Sequence, residues 1–184
     1  MAQAFTVIAQ NRTVLVRSPT LVVDVVDLVT VRVDAWQPIA RRAGVGLRYP
    51  TAGELLALVD PALVGSGLDA VLDNAVKFSP AGGRVDVDVV VDGGELRVDV
   101  TDEGPGLGVD ELDRVGDRFW RSPASQNVPG SGLGLSIART LLQGTGGRLG
   151  FAAIAGHGLR VSLWLPAPEP VPAASPADAV PVAR

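Results

Sequence analysis

The sequence lacks several features that would point to other classes of protein. It has no cysteine, so disulfides and thiolate metal sites are excluded. It carries 16 basic and 20 acidic residues, and the net charge of −4 argues against a nucleic-acid-binding surface. No uninterrupted apolar run is long enough to span a membrane, and the first residues show no signal-peptide pattern. We therefore expect a soluble, cytoplasmic module, and 184 residues allow one domain.

Lysine is almost absent, since Lys77 is the only lysine among the 16 basic residues. It lies three positions after Asn74, so on a helix the two side chains project from the same face. An asparagine offers a neutral oxygen to a hard cation such as Mg²⁺, and an ammonium group can offset the charge of phosphates. An amphipathic helix with a polar face would give the same pattern.

Three short motifs share an abundance of glycine, aspartate or asparagine, and about thirty residues separate neighbouring motifs. They are Asp73-Asn74-Ala75-Val76-Lys77-Phe78, Asp102-Glu103-Gly104-Pro105-Gly106-Leu107-Gly108 and Gly130-Ser131-Gly132-Leu133-Gly134-Leu135. Singly, a glycine cluster is more often a turn than a ligand site. In this order they suit the parts of a bound nucleotide. The third motif precedes a predicted helix, whose free N–H groups can bind phosphate. The chain has no Walker motif, because no Gly-Lys-Ser/Thr occurs.

From about Asp24 to Pro166 the chain resembles the catalytic, ATP-binding domain of bacterial sensor histidine kinases, a branch of the GHKL (Bergerat-fold) ATPases. The motifs above match that family's N, G1 and G2 boxes, and Arg118-Phe119-Trp120-Arg121 matches its F box. The stretch from Gly130 to Arg139 is nearly diagnostic of the kinase branch. The resemblance implies an α/β fold, an α+β sandwich in which helices pack on one face of a mixed β-sheet.

The resemblance also implies ATP and Mg²⁺ as ligands and gives roles to individual residues. Asn74 holds the metal, Asp102 accepts a hydrogen bond from the adenine amine, and Arg121 reaches the γ-phosphate. Asn74, Lys77 and Arg121 form the catalytic set. The implied nucleotide-binding residues are Asn74, Lys77, Phe78, Asp102, Gly104, Gly106, Leu107, Gly130, Gly132, Leu133, Gly134 and Leu135. A surface arginine beside a core aromatic would be equally ordinary at Arg121.

Hydrophobic periodicity and turn residues predict the elements that carry these motifs. We expect a helix from Asp24 that Gly44 and Gly46 end, a helix over Pro61–Ser79 and another after the third motif. The predicted strands cover 45–49, 85–91, 96–100, 148–154 and 159–165. A mobile lid is expected over Ser122–Gly130. Residues 1–23 are predicted to be a linker with a short strand at 13–16, 24–166 the catalytic domain, and 167–184 a Pro/Ala-rich disordered tail.

Two departures from the family pattern bear on activity. Ala70 stands where the kinases usually have a second asparagine and their ATP-hydrolysing relatives a catalytic glutamate. Asp69 and Asp73 are expected to point away from that face of the helix, about 100° to either side. The chain also shows no helical hairpin with a phospho-acceptor histidine. Its only histidine, His157, lies between two glycines and is expected to be a solvated turn residue.

We therefore expect the ATP·Mg²⁺-binding catalytic module of a two-component histidine kinase, which presents the γ-phosphate to a histidine on a separate dimerisation domain. Its partners would be that domain and a response regulator, with neither a nucleic acid nor a membrane span in this chain, although the parent kinase can be membrane-anchored. One alternative is a nucleotide-binding but inactive interaction module. A less favoured one is an anti-sigma-type serine kinase.

Overall fold

The structure is a computed structural model, and it describes residues 4–9, 12–17, 19–49, 53–123, 128, 130–154 and 158–166. The predicted tail at 167–184, His157 and most of the predicted lid lie outside the described residues. In chain order the elements are β1 Ala4–Ala9, β2 Arg12–Arg17, β3 Leu21–Asp24, α1 Val25–Ala43, β4 Gly46–Arg48, β5 Leu56–Val59, α2 Pro61–Phe78, β6 Arg84–Asp92, β7 Glu95–Asp102, α3 Val109–Leu112, α4 Gly134–Gly144, β8 Arg148–Ala153 and β9 Leu159–Leu165.

The central sheet has five strands in the order β4-β6-β7-β9-β8. The β4–β6 pair is parallel and the other pairs are antiparallel, so the sheet is mixed. Two antiparallel pairs, β1-β2 and β3-β5, form separate two-stranded sheets. Residues on β9 alternate between buried and half-buried, as expected for a strand with one face on the core.

The core lies between this sheet and the helices. α2 contacts α1, α4, β7 and β9, and α4 also contacts β8 and β9. Fully buried leucines from both layers, such as Leu68, Leu72, Leu142 and Leu163, fill the space between them. Each such side chain contributes on the order of 2 kcal/mol by leaving water. The prediction of a mixed sheet with helices on one face is confirmed.

Side chains and glycine fix the ends of the two long helices. Asp24 caps α1, since its Oδ1 accepts from the backbone N–H of Val26 at 2.9 Å, and Gly44 ends the helix at φ 72°. Asp60 caps α2 by accepting from the N–H groups of Ala62 and Leu63 at 2.8 and 3.3 Å. The bounds predicted for both helices are confirmed to within a residue.

Four elements were not predicted: β1, β3, β5 and α3. β1 has six residues, and the other three have four each. The four residues of β5, Leu-Ala-Leu-Val, carry no alternation of polar and apolar types, so periodicity could not separate a strand from a loop. Among the described residues no helix combines the length and apolarity needed to cross a bilayer.

Candidate nucleotide-binding site

All three motifs open onto one cavity of about 380 Å³, a size typical of small-molecule sites. Of the residues predicted to bind nucleotide or act in catalysis, the following line it: Asn74, Lys77, Phe78, Asp102, Gly106, Leu107, Arg121, Gly130, Gly132, Leu133, Gly134 and Leu135. Gly104 is the exception, because it does not line the cavity. Its backbone N–H donates to Asp102 at 2.8 Å and so orients that carboxylate.

Asp102 ends β7 and is 4% exposed. Its Oδ1 accepts from the backbone N–H groups of Gly104 at 2.8 Å and Leu159 at 3.2 Å. No donor within the described part of the chain reaches Oδ2. Burial raises the pKa of this carboxyl above its usual value, and the two backbone hydrogen bonds oppose that shift only in part. The arrangement leaves Oδ2 able to accept a hydrogen bond from a ligand N–H group.

Close backbone packing holds Asp102 in this position. A Cβ on Gly158 would lie 2.2 Å from the Asp102 carbonyl oxygen, and one on Gly106 would lie 3.0 Å from the Gly158 carbonyl oxygen. Both glycines also have left-handed φ angles, 103° and 72°. Sequence reasoning did not place Gly158 at the site. The available signal was the Gly-His-Gly stretch that precedes β9.

One face of α2 forms a wall of the cavity through Ala70, Asp73, Asn74 and Lys77. The opposite face is buried in the core, which fixes the rotation of the helix. The Lys77 Nζ lies only 2.5 Å from where a Gly130 Cβ would stand, so the ammonium group lies against the third motif. Within the described residues, the side chains of Asp73, Asn74 and Lys77 form neither hydrogen bonds nor ion pairs. They remain available to a ligand.

The orientation predicted for Asp73 is wrong, whereas that for Asp69 is confirmed. Asp69 faces α1, where its carboxylate accepts from Arg32 at 3.2 Å and from the Trp36 indole N–H at 3.0 Å. Asp73 lines the cavity. At about 100° per residue, Asp73 lies only about 60° from Ala70 and about 40° from Lys77, within the same face.

The third motif leads directly into α4, whose first turn has no side-chain cap. The free N–H groups there and the positive end of the helix suit a phosphate group. Gly132 has a φ of 72°, and a Cβ on it would lie 2.8 Å from the Trp120 carbonyl oxygen. The Phe119 N–H donates to the Gly132 carbonyl at 3.1 Å. The fourth motif therefore supports the backbone of the third.

The fourth motif divides its aromatic residues between the cavity and the surface. Trp120 lines the cavity and packs against the core, whereas Phe119 is 73% exposed and has a φ of 65°. Arg121 also lines the cavity, and its guanidinium donates to the Val128 carbonyl oxygen. That contact spans the segment predicted to be a lid.

Glu111 ties the second motif to the beginning of the predicted lid. Its Oε2 accepts from the Gly108 N–H at 2.8 Å and its Oε1 from the Ser122 hydroxyl at 2.6 Å. The hydrogen bond from Ser122, and then that from Gly108, lower the pKa of this carboxyl below its usual value. The segment is thus anchored at its first residue.

The residues present fit a nucleotide-borne Mg²⁺ better than a metal held by protein alone. The described residues contain no group of three or more histidine, cysteine or acidic side chains that could enclose a metal. Asn74 has an unengaged amide at the cavity wall, beside the uncapped turn that suits phosphate. Mg²⁺ is commonly bound in this way, by one or two protein oxygens together with phosphates and water.

Comparison with known proteins gives the family. The family described as "Histidine kinase-, DNA gyrase B-, and HSP90-like ATPase" matches residues 60–169. The chain is 42% identical over 91 residues to the signal transduction histidine-protein kinase/phosphatase MprB of Mycolicibacterium vanbaalenii, which is 49% of this chain and 19% of that protein. It is 32% identical over 101 residues to the sensor protein kinase PmrB of Pseudomonas aeruginosa, 54% of this chain and 21% of that protein. The chain thus spans about a fifth of the length of these curated relatives.

Solved structures agree. The mycobacterial sensor histidine kinase MprB superposes with a TM-score of 0.67 at 32% identity, over 80% of this chain and 97% of that one. The catalytic domain of the histidine kinase ThkA reaches a TM-score of 0.69 at 19% identity, over 82% of this chain and 99% of that one, and this likeness shows the fold alone. With the family matched over more than half of its length, this chain belongs to the histidine kinase-, DNA gyrase B- and HSP90-like ATPases.

Proposed function

We propose that this chain is the ATP·Mg²⁺-binding catalytic module of a sensor histidine kinase. The observation that carries the proposal is that the three motifs open onto one cavity. The Asp102 carboxylate lines this cavity, and the Lys77 ammonium group lies against the third motif. We further propose residues 24–166 as the catalytic domain, flanked by a linker at 1–23 and a Pro/Ala-rich tail at 167–184.

Each motif has a distinct task in this proposal. The free Oδ2 of Asp102 accepts from the exocyclic amine of adenine, which guanine lacks at that position. The backbone of Gly130–Leu135 and the first turn of α4 hold the phosphates, and Lys77 offsets their charge. Asn74 would hold the Mg²⁺, which would supply charge neutralisation to the phosphates. Arg121 lies at the cavity wall, where the γ-phosphate would be in reach.

Catalysis rests on positioning and electrostatics. The histidine nitrogen of a separate dimerisation domain attacks the γ-phosphorus, a P–N bond forms, and the bond from phosphorus to the bridging oxygen of ADP breaks. The negative charge that gathers on that oxygen is opposed by Lys77 and the N–H groups of α4. The phosphoryl group then passes to a response regulator, and the complete kinase can carry a membrane anchor outside this chain.

Phosphotransfer to a supplied dimerisation domain tests the proposal. The chain is mixed with a dimerisation domain of an MprB-type kinase, γ-labelled ATP and Mg²⁺. We expect acid-labile label on the supplied domain, and none when its acceptor histidine is replaced by glutamine. Nucleotide binding without transfer would favour an inactive interaction module. Acid-stable label on a serine would favour a serine kinase.

A further inference from the structure

The Asp73 carboxylate faces the cavity and forms no ion pair with any of the described residues. It is exposed, lines the cavity beside Asn74, and has no hydrogen-bond or ion-pair partner among the described residues. Lys77 stands at the i+4 position, where an ion pair with Asp73 could form. The ammonium group instead lies against Gly130. Other aspartates on the molecule, such as Asp69 and Asp86, are paired with arginines.

An unpaired carboxylate is unfavourable in a cavity that receives a triphosphate, because the like charges repel each other. A divalent cation between the carboxylate and the phosphates removes this conflict. Ala70 makes such a contribution more important, since its methyl group, which also lines the cavity, can hold neither a metal nor a metal-bound water.

We propose that Asp73 is a second protein group for the nucleotide-borne divalent cation, which it holds directly or through a water, in place of the missing side chain at Ala70. The inference rests on the proposed nucleotide site and extends it. Mg²⁺ commonly uses one or two carboxylates together with phosphates. Asp73 therefore makes nucleotide binding depend on the metal in two ways. Its carboxylate repels the metal-free nucleotide, and it attracts the cation of the metal-bound nucleotide.

The test is the metal dependence of nucleotide affinity. Calorimetry measures the Kd of a non-hydrolysable ATP analogue with Mg²⁺ and with EDTA, for the wild-type chain, Asp73→Asn and Asp88→Asn. Asp88 is an exposed carboxylate on β6 that does not line the cavity, so it controls for the change in net charge. Thermal unfolding establishes that each variant is folded.

We expect the ratio of the EDTA Kd to the Mg²⁺ Kd to fall about tenfold or more in Asp73→Asn, the effect of one charged contact, and to stay unchanged in Asp88→Asn. Electron paramagnetic resonance of Mn²⁺ with ADP should show weaker metal retention in Asp73→Asn. Adding Ala70→Asn to Asp73→Asn should restore part of the ratio, because it supplies a new oxygen to the same cation.

Two results would overturn the inference. Unchanged affinities in both conditions would make Asp73 a solvated residue at the rim. An equal gain in affinity with and without metal, which also leaves the ratio unchanged, would show repulsion alone. A wild-type chain that binds no adenine nucleotide under either condition would refute the proposed function itself, a different outcome from the other two.

Discussion

At the scale of single residues, the site depends on which polar side chains are engaged and which are not. Asp69 and Asp99 are held by neighbouring protein groups, whereas Asp73 and Asn74 face the cavity without partners among the described residues. Asp102 is intermediate, with one oxygen bound by backbone N–H groups and the other open. We therefore expect a ligand to bind at the polar groups of the cavity that have no hydrogen-bond partner among the described residues.

Replacing Asp102 by alanine should weaken binding of adenine nucleotides at least tenfold, since a hydrogen bond to a charged group contributes about 1.5–3 kcal/mol. Asp102→Asn is the sharper variant. It keeps an oxygen for Gly104 and Leu159 but turns an amide N–H₂ toward the adenine amine. Isothermal calorimetry measures both affinities. Affinities equal to wild type would remove Asp102 from the adenine site.

The raised pKa of Asp102 predicts a pH dependence of binding. Oδ1 already accepts two backbone N–H groups, so a proton on this carboxyl would sit on Oδ2 and would oppose the adenine N–H. Adenine affinity should therefore fall as the pH drops through the raised pKa of Asp102. Stability runs the other way: the folded state binds the proton more tightly than the unfolded state, so stability falls as pH rises across the same interval. Binding measured with adenosine, which lacks phosphates, checks the first effect. The adenosine affinity of Asp102→Asn should not change with pH over this interval.

At the scale of elements, the long helices and most strands of the central sheet were predictable from the sequence, whereas β1 and the three four-residue elements were not. Asp24 and Gly44 predicted the two ends of α1, and the structure reproduces these ends. It also reproduces the predicted bounds of α2 to within a residue. The face of α2 that meets the cavity was assigned only in part. Helical geometry alone places Asp73 about 60° from Ala70 and about 40° from Lys77, so the predicted angle of about 100° for Asp73 was wrong. Packing of the opposite face against the core settles the rotation, and that packing is not visible in the sequence.

Gly158 joins β9 to the second motif, and its substitution tests that junction. Gly158→Ala places a Cβ against the Asp102 carbonyl oxygen, whereas Gly93→Ala, in the β6–β7 turn at φ 60°, meets no atom within 4 Å. Gly93→Ala should cost about 1–2 kcal/mol of unfolding free energy from its left-handed backbone alone. We expect Gly158→Ala to cost at least twice as much in urea unfolding. Equal costs would mean that the junction adapts freely.

The predicted lid over Ser122–Gly130 should become protected from hydrogen exchange when ATP·Mg²⁺ binds. Its composition offers few apolar anchors, so ordering on binding is expected. The contact of Glu111 with Ser122 holds its first residue already, so the gain should be largest beyond that residue. Exchange is measured by mass spectrometry with and without nucleotide. The same protection in both states would argue against a lid.

At the scale of the whole molecule, the order of the motifs carried the family resemblance, and that resemblance predicted the fold. The motifs meet at one cavity because each ends or begins a helix or strand around it. The role of Gly158 depends on a close approach between β9 and the end of β7, separated by more than fifty residues. A single sequence carries no direct signal for such a contact.

The whole chain should bind ATP but hydrolyse it negligibly. Ala70 cannot orient or deprotonate a water beside the γ-phosphate, and Asp73 is assigned to the cation. Ala70→Asn should tighten metal-dependent nucleotide binding by about 1 kcal/mol for one added hydrogen bond. Steady-state phosphate release is the measurement. Sustained turnover near 1 s⁻¹, roughly the low end of typical enzyme rates, would show that another residue supplies the base.

The central claim is that the cavity formed by the three motifs is an adenine-nucleotide site. Calorimetric titration of the chain with ATP and with GTP, both with Mg²⁺, tests this most directly. The account predicts one ATP bound per chain, and GTP affinity lower by at least tenfold, since Oδ2 of Asp102 would meet an oxygen in place of an amine. Equal affinities for the two nucleotides, or no binding of ATP, would contradict it.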